Sequence, residues 1–201
     1  MKKTRKWLSN LLILAGLVLL ITLGWGMKST QDRQAELVDA FEAVKAEANT
    51  EMPLQNAASG NIAEAADLPD GVEAVLEIPA IDLKSPVLAG ATPANLDKAL
   101  GSIEGLDEPG QMDGSYAIAG HQAHVFGKFF NRLDELKTGD RFTLETINEE
   151  MAFEVFDIQI VKPEQVDVLR PKEGMALVSL VTCYPENSNE FRLIVQAKKV
   201  K

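Results

Sequence analysis

From Gly71 onward the chain is a succession of short apolar runs separated by Gly, Pro and polar residues. The runs are Ala74–Pro79, Ile81–Leu83, Pro86–Leu88, Ser115–Gly120, Arg141–Thr146, Met151–Val161, Ala176–Thr182 and Phe191–Ala197. Each reads as a strand, by alternation or by length and composition. In the longest, Phe153 and Val155 alternate and Asp157 then breaks the period. Pro93–Leu100 reads as a short helix, with Thr92 as its cap and proline at its first position. Residues 125–136 read as irregular helical turns and 137–140 as a turn. About eight strands with little helix predict a mainly β fold. A closed or nearly closed barrel follows, because closure removes exposed sheet edges.

The N-terminus has a different character. Residues 1–6 carry four positive charges and no acid. Residues 7–27 are uncharged and mostly apolar, long enough to cross a bilayer as a helix. Trp7 and Trp25 stand near the two ends, where interfacial aromatics sit. The basic flank predicts a single-pass anchor with its N-terminus in the cytoplasm and the rest of the chain outside. A cleaved signal peptide is the alternative, but Gly24–Lys28 offers no small-x-small cleavage site. Residues 28–71 are expected to form an extracellular spacer. It begins with an amphipathic helix over about 29–49, with Leu37, Val38, Phe41 and Val44 on one face, expected to be solvated. An Ala-, Asn-, Gly- and Pro-bearing linker then leads to the β-barrel domain over 72–201.

All 30 acidic residues lie after position 27, with 16 of the 20 basic ones, so that part carries a net −14. Such a surface excludes nucleic acid as a partner, because binding it needs a basic face. No cofactor or metal is expected. Asp107, Glu108 and Asp113 read as a solvated acidic loop rather than a calcium site. Asp134-Glu135 and Glu149-Glu150 read as solvated faces, and His124 has no assigned role.

The chain has one cysteine, Cys183, so no disulfide can form within it. An unpaired thiol outside the cytoplasm is a liability unless it is buried or used. A nucleophile would need a base and a charge-stabilising partner. His121 ends one predicted strand, and Arg192 lies in the strand that follows Cys183.

These residues resemble the sortases, membrane-anchored cysteine transpeptidases of Gram-positive bacteria. Ala119-Gly120-His121 resembles the family's histidine strand end. Leu180-Val181-Thr182-Cys183 resembles its Thr-Leu-x-Thr-Cys box, with Ser179 at the first position. Phe191-Arg192-Leu193 resembles its arginine strand, and the likeness extends over about residues 72–200. It implies an eight-stranded sortase-type barrel. The run Val161-Lys162-Pro163, with Val166, Val168 and Leu169, resembles the substrate loop of class A. Cys183-Tyr184-Pro185 is also seen in class D, the next choice.

The resemblance implies that Cys183 attacks a Leu-Pro-x-Thr-Gly-like sorting signal between Thr and Gly. His121 would serve as acid and base, and Arg192 would hold the oxyanion. Ala119, Val161, Pro163, Val166, Val168, Leu169 and Thr182 are the implied substrate contacts. The implied partners are surface proteins bearing a C-terminal sorting signal and an amine on a peptidoglycan precursor. Three alternatives stand beside this: a pilin-polymerising sortase; an L,D-transpeptidase, whose Ser-His-Gly-Cys box is absent; and a membrane-tethered binding module with an inert buried thiol.

Overall fold

The computed structural model describes residues 13, 14, 16–18, 32–46, 71–122, 129–186 and 188–200. Eight strands close into a barrel: β1 (Val72–Ile78), β2 (Leu83–Leu88), β3 (Leu100–Ser102), β4 (Gly114–Ala119), β5 (Arg141–Thr146), β6 (Glu150–Val161), β7 (Ala176–Tyr184) and β8 (Phe191–Val200). Around the ring the order is β1-β2-β3-β4-β7-β8-β6-β5. Two neighbouring pairs, β2/β3 and β4/β7, are parallel, and the others are antiparallel.

Alternate residues of each strand fill the interior. Leu76 and Ile78 of β1, Ile118 of β4, Phe142 and Leu144 of β5, Phe153 of β6, Leu180 of β7 and Val195 of β8 form one buried cluster. Phe142 and Phe153 stack at 5.6 Å between centroids. The broken alternation in β6 is a bulge. The register to β8 shifts between Val155, opposite Ala197, and Asp157, opposite Gln196. The bulged residue is Phe156, and the extra residue bends the strand there.

The predicted helix over 93–100 is shorter than expected. It spans Pro93–Leu96 (α2), with the Thr92 hydroxyl accepting from the Asn95 amide. Leu100 already belongs to β3, three residues that the sequence reading placed in the helix or passed over. Residues 133–135 form one 3-10 turn of the predicted irregular region. Residues 123–128, including His124, lie outside the described residues.

The expectation of a solvated spacer helix is corrected. Residues 34–46 are helical (α1), with Phe41 fully buried and Val38 nearly so. They pack on Val72, Val75, Leu88 and Ala99, on the outer side of β1 and β2. Gln34 Nε2 donates to the Lys98 carbonyl at 3.0 Å, and Lys45 and Glu42 pair with Glu145 and Lys84. An amphipathic period shows that one face will be covered; it does not say by what.

The predicted anchor over 7–27 and the linker over 50–70 lie mostly or wholly outside the described residues. Among the described residues no helix is long and apolar enough to cross a membrane. Residues 13, 14 and 16–18 are helical, and Ile13, Leu14, Leu17 and Val18 are all exposed.

Candidate active site

The site is built by register. In the parallel pair β4/β7, each residue lies opposite one 62 positions later, from Gly114 and Ala176 to Ala119 and Val181. His121 and Cys183 have the same offset. The register continues past the strand end, where the Gly120 amide donates to the Val181 carbonyl at 3.1 Å. The Thr182 hydroxyl donates to the Gly120 carbonyl at 2.8 Å. On the other side of β7, Cys183 lies opposite Arg192, and Arg192 lies opposite Val161 of β6. Cys183, Arg192 and Val161 therefore share one rung, and His121 lies two residues beyond Ala119, the last residue of β4 paired with β7.

Residues opposite one another on neighbouring strands face the same side, and successive residues alternate. Tyr116, Ile118, Val178, Leu180, Leu193 and Val195 belong to the interior cluster. The intervening residues therefore face outward and form two further rungs behind the first. The second is Ala119, Val181, Ile194 and Gln159. The third is Ala117, Ser179, Gln196 and Asp157. Burial increases along this face. His121 is exposed and Cys183 and Arg192 are half-buried, whereas Ala117, Ser179 and Gln196 have no exposed surface. The face is open around the thiol and covered at Ala117, Ser179 and Gln196.

The loop between β6 and β7 closes it. The loop leaves β6 after Val161 and contains a 3-10 turn at Val166–Leu169, which packs on β4. Among the expected substrate contacts, Ala119 and Val161 are half-buried in the first two rungs. Val168 and Leu169 are half-buried in the turn, and Pro163 and Val166 are exposed on the loop. Thr182 does not fit that expectation. The alternation of β7 turns it to the inner side, opposite to Cys183, where it is 2 % exposed and its hydroxyl is committed to Gly120.

Two of the three candidate residues, His121 and Arg192, are held by their neighbours. The His121 ring meets Phe129 edge-on at 6.4 Å, and its Nε2 lies 3.9 Å from Asp97 Oδ1 at the end of α2. The His121 carbonyl accepts from the Phe130 amide at 3.1 Å. Arg192 Nη1 donates to the carbonyls of Asn189 and Phe191, which orients the guanidinium fork. Gly120 is required by space and not by its backbone angle. A Cβ there would stand 2.5 Å from a Leu100 methyl and 2.8 Å from the Phe130 ring.

Asp97, Phe129, Ile194 and Gln196 were not singled out from the sequence. The last two could have been, since they follow Arg192 at the two-residue period of an outward face. Among the described residues no group of three or more His, Cys, Asp or Glu is placed to hold a metal ion. Asp107 accepts from the Ser115 amide and Asp113 from the Gly174 amide, so both carboxylates brace loops.

Residues 76–200 match the model of the sortase domain. Sortase A of Bacillus anthracis is 29% identical over 120 residues, covering 60% of this chain and 56% of that protein. Sortase A of Staphylococcus aureus is 27% identical over 212 residues, covering 98% of this chain and all of that protein. Sortase C of Streptococcus pneumoniae, a solved structure, superposes with a TM-score of 0.64 at 27% identity, over 83% of this chain and 89% of that one. The matched region spans 40–63% of the length of three of the curated relatives. A closed eight-stranded barrel and a family match over more than half its length place this chain in the sortase family.

Proposed function

We propose that the chain is a cysteine transpeptidase that cuts a Leu-Pro-x-Thr-Gly-like signal between Thr and Gly and passes the acyl group to an amine. The observation that supports this reading is Cys183 directly opposite Arg192 on β7 and β8, with His121 two residues past the Ala119–Val181 pair that ends the β4/β7 ladder. The Cys183 thiolate attacks the Thr carbonyl carbon. The Arg192 fork and nearby backbone N–H groups hold the oxyanion that forms. Collapse of the tetrahedral adduct breaks the Thr–Gly C–N bond, and the His121 imidazolium gives its proton to the departing glycine amine. The product is a thioacyl enzyme with neutral His121. His121 then takes a proton from the incoming amine as it attacks the thioester, which frees the thiolate and restores the imidazolium.

The acceptor is an amine on a peptidoglycan precursor, and the substrates are surface proteins bearing the signal. Class A is preferred, with class D next. The chain is anchored by residues 7–27 with the barrel outside the cell; the exposed apolar residues Ile13, Leu14, Leu17 and Val18 support this. A second reading, with a pilin lysine as acceptor, draws on the likeness to a sortase C described for its pilin substrate specificity. An inert buried thiol fits poorly with Cys183, which is only half-buried.

Intact-mass measurement of the full chain in detergent, with a Leu-Pro-x-Thr-Gly peptide and oligoglycine or hydroxylamine, tests the reading. A Thr-terminated adduct or Thr–amine product that vanishes in Cys183→Ala is expected. With neither species for any peptide of a library varying the first and last motif positions, the transpeptidase reading fails.

A further inference from the structure

Gln196 is a fully buried polar side chain that faces outward from β8, in a row otherwise suited to apolar residues. It makes three side-chain hydrogen bonds at the covered end of this face. Its Nε2 donates to the Val168 carbonyl at 2.8 Å and to Ser179 Oγ at 3.3 Å. Its Oε1 accepts from Lys172 Nζ at 2.7 Å. The amide orientation is unambiguous, because a carbonyl can only accept and an ammonium can only donate. Lys172 Nζ also lies 4.9 Å from the centre of the Phe156 ring, the bulged residue of β6. One side chain thus ties the 3-10 turn, the later part of the same loop, β7 and β8 together.

We infer that Gln196 is a positioning residue for substrate recognition: it clips the β6–β7 loop down and stops the groove two rungs behind the thiol. From Cys183 to Ser179 is four residues of strand, about 13 Å at about 3.3 Å per residue. An extended peptide running back from the thiol meets the covered third rung within that length. The clip therefore sets how many residues before the scissile bond are gripped. An amide serves better here than an apolar residue, since leucine would leave a buried carbonyl, a hydroxyl and an ammonium without their partner. Gln196 is too far back to touch the reacting bond, so its loss acts on binding. The inference rests on the transpeptidase reading for its effect on catalysis, but its effect on the loop does not.

The test uses the full chain in detergent, comparing it with Gln196→Leu and with Lys172→Met, which cuts one prong at a half-buried site and serves if Gln196→Leu does not fold. Hydrogen exchange of residues 163–170, measured without peptide, is expected to quicken about tenfold or more in either variant. With a signal peptide, KM is expected to rise about fivefold or more while kcat falls less than about threefold. Unchanged loop exchange, unchanged KM, or a loss confined to kcat overturns the inference. Should the unsubstituted chain turn over no signal peptide, the functional reading has failed, and loop exchange alone decides whether Gln196 holds the loop.

Discussion

The Thr182 hydroxyl donates to the Gly120 carbonyl at 2.8 Å, one residue before Cys183 on one strand and one residue before His121 on the other. This bond extends the β4/β7 register to the reactive pair. On the proposed mechanism Thr182 acts indirectly, from the inner side of the sheet. Thr182→Val keeps the shape and deletes the bond. It is expected to cost about 1 kcal/mol of stability in denaturant unfolding. Turnover is expected to fall about 10- to 100-fold, because small misplacements of reacting groups are expensive. Alkylation of Cys183 in the same variant checks that the thiol is still reachable.

Arg192 is fixed through Nη1 by the carbonyls of Asn189 and Phe191. Lysine supplies the charge without the fork. Arg192→Lys is expected to lower kcat/KM by about 100-fold with little effect on stability, as loss of an oxyanion donor does. Steady-state kinetics beside a thermal melt read both quantities.

Gly120 has no room for a methyl group between Leu100 and Phe130. Gly120→Ala forces β3 or the Phe130 segment to shift, and overpacking of this kind costs about 1–3 kcal/mol. The same shift moves His121. Stability and turnover should fall together, and a variant as stable and active as the parent would contradict this packing.

Phe41 is fully buried between α1 and the barrel. Phe41→Ala is expected to lower unfolding stability by about 3 kcal/mol. A solvated spacer helix would show no such loss. Denaturant titration of the full chain separates the two.

Tyr116 is buried, and desolvation raises the pKa of its hydroxyl above the ordinary tyrosine value, as does the Glu73 carboxylate, to which the hydroxyl donates at 3.3 Å. The folded protein keeps this proton when the unfolded chain has lost it. The contribution is therefore complete below the unfolded pKa of about 10, and stability falls as pH rises above it, by up to about 1.4 kcal/mol per unit. Tyr116→Phe is expected to lose a little stability at neutral pH and to show a shallower alkaline decline. Urea titrations from pH 8 to pH 11 measure the slopes.

Much of the barrel was legible because strand periodicity is local. Arg141–Thr146 has the bounds read from its sequence, and the break in alternation around Asp157 is a bulge. β3 was not legible: three residues have no period to detect, and they form a strand only because β2 and β4 lie on either side. The face of α1 was legible but its cover was not, since Val38 and Phe41 meet residues from three separate stretches of chain.

The sequence by itself determined which residue types could react and where strands would start and stop. His121, Cys183 and Arg192 stand out because the chain has one cysteine and two histidines, and each of the three marks the end or beginning of an apolar run. Tertiary structure alone decided that Cys183 and Arg192 lie opposite each other, that Thr182 faces away from them and that Gln196 is buried behind them. Those facts depend on a parallel pairing across 62 residues and on the register of three other strand contacts. A strand's own period says that its two faces differ. Only its neighbours determine which face is filled, which is covered and which is left open to a substrate.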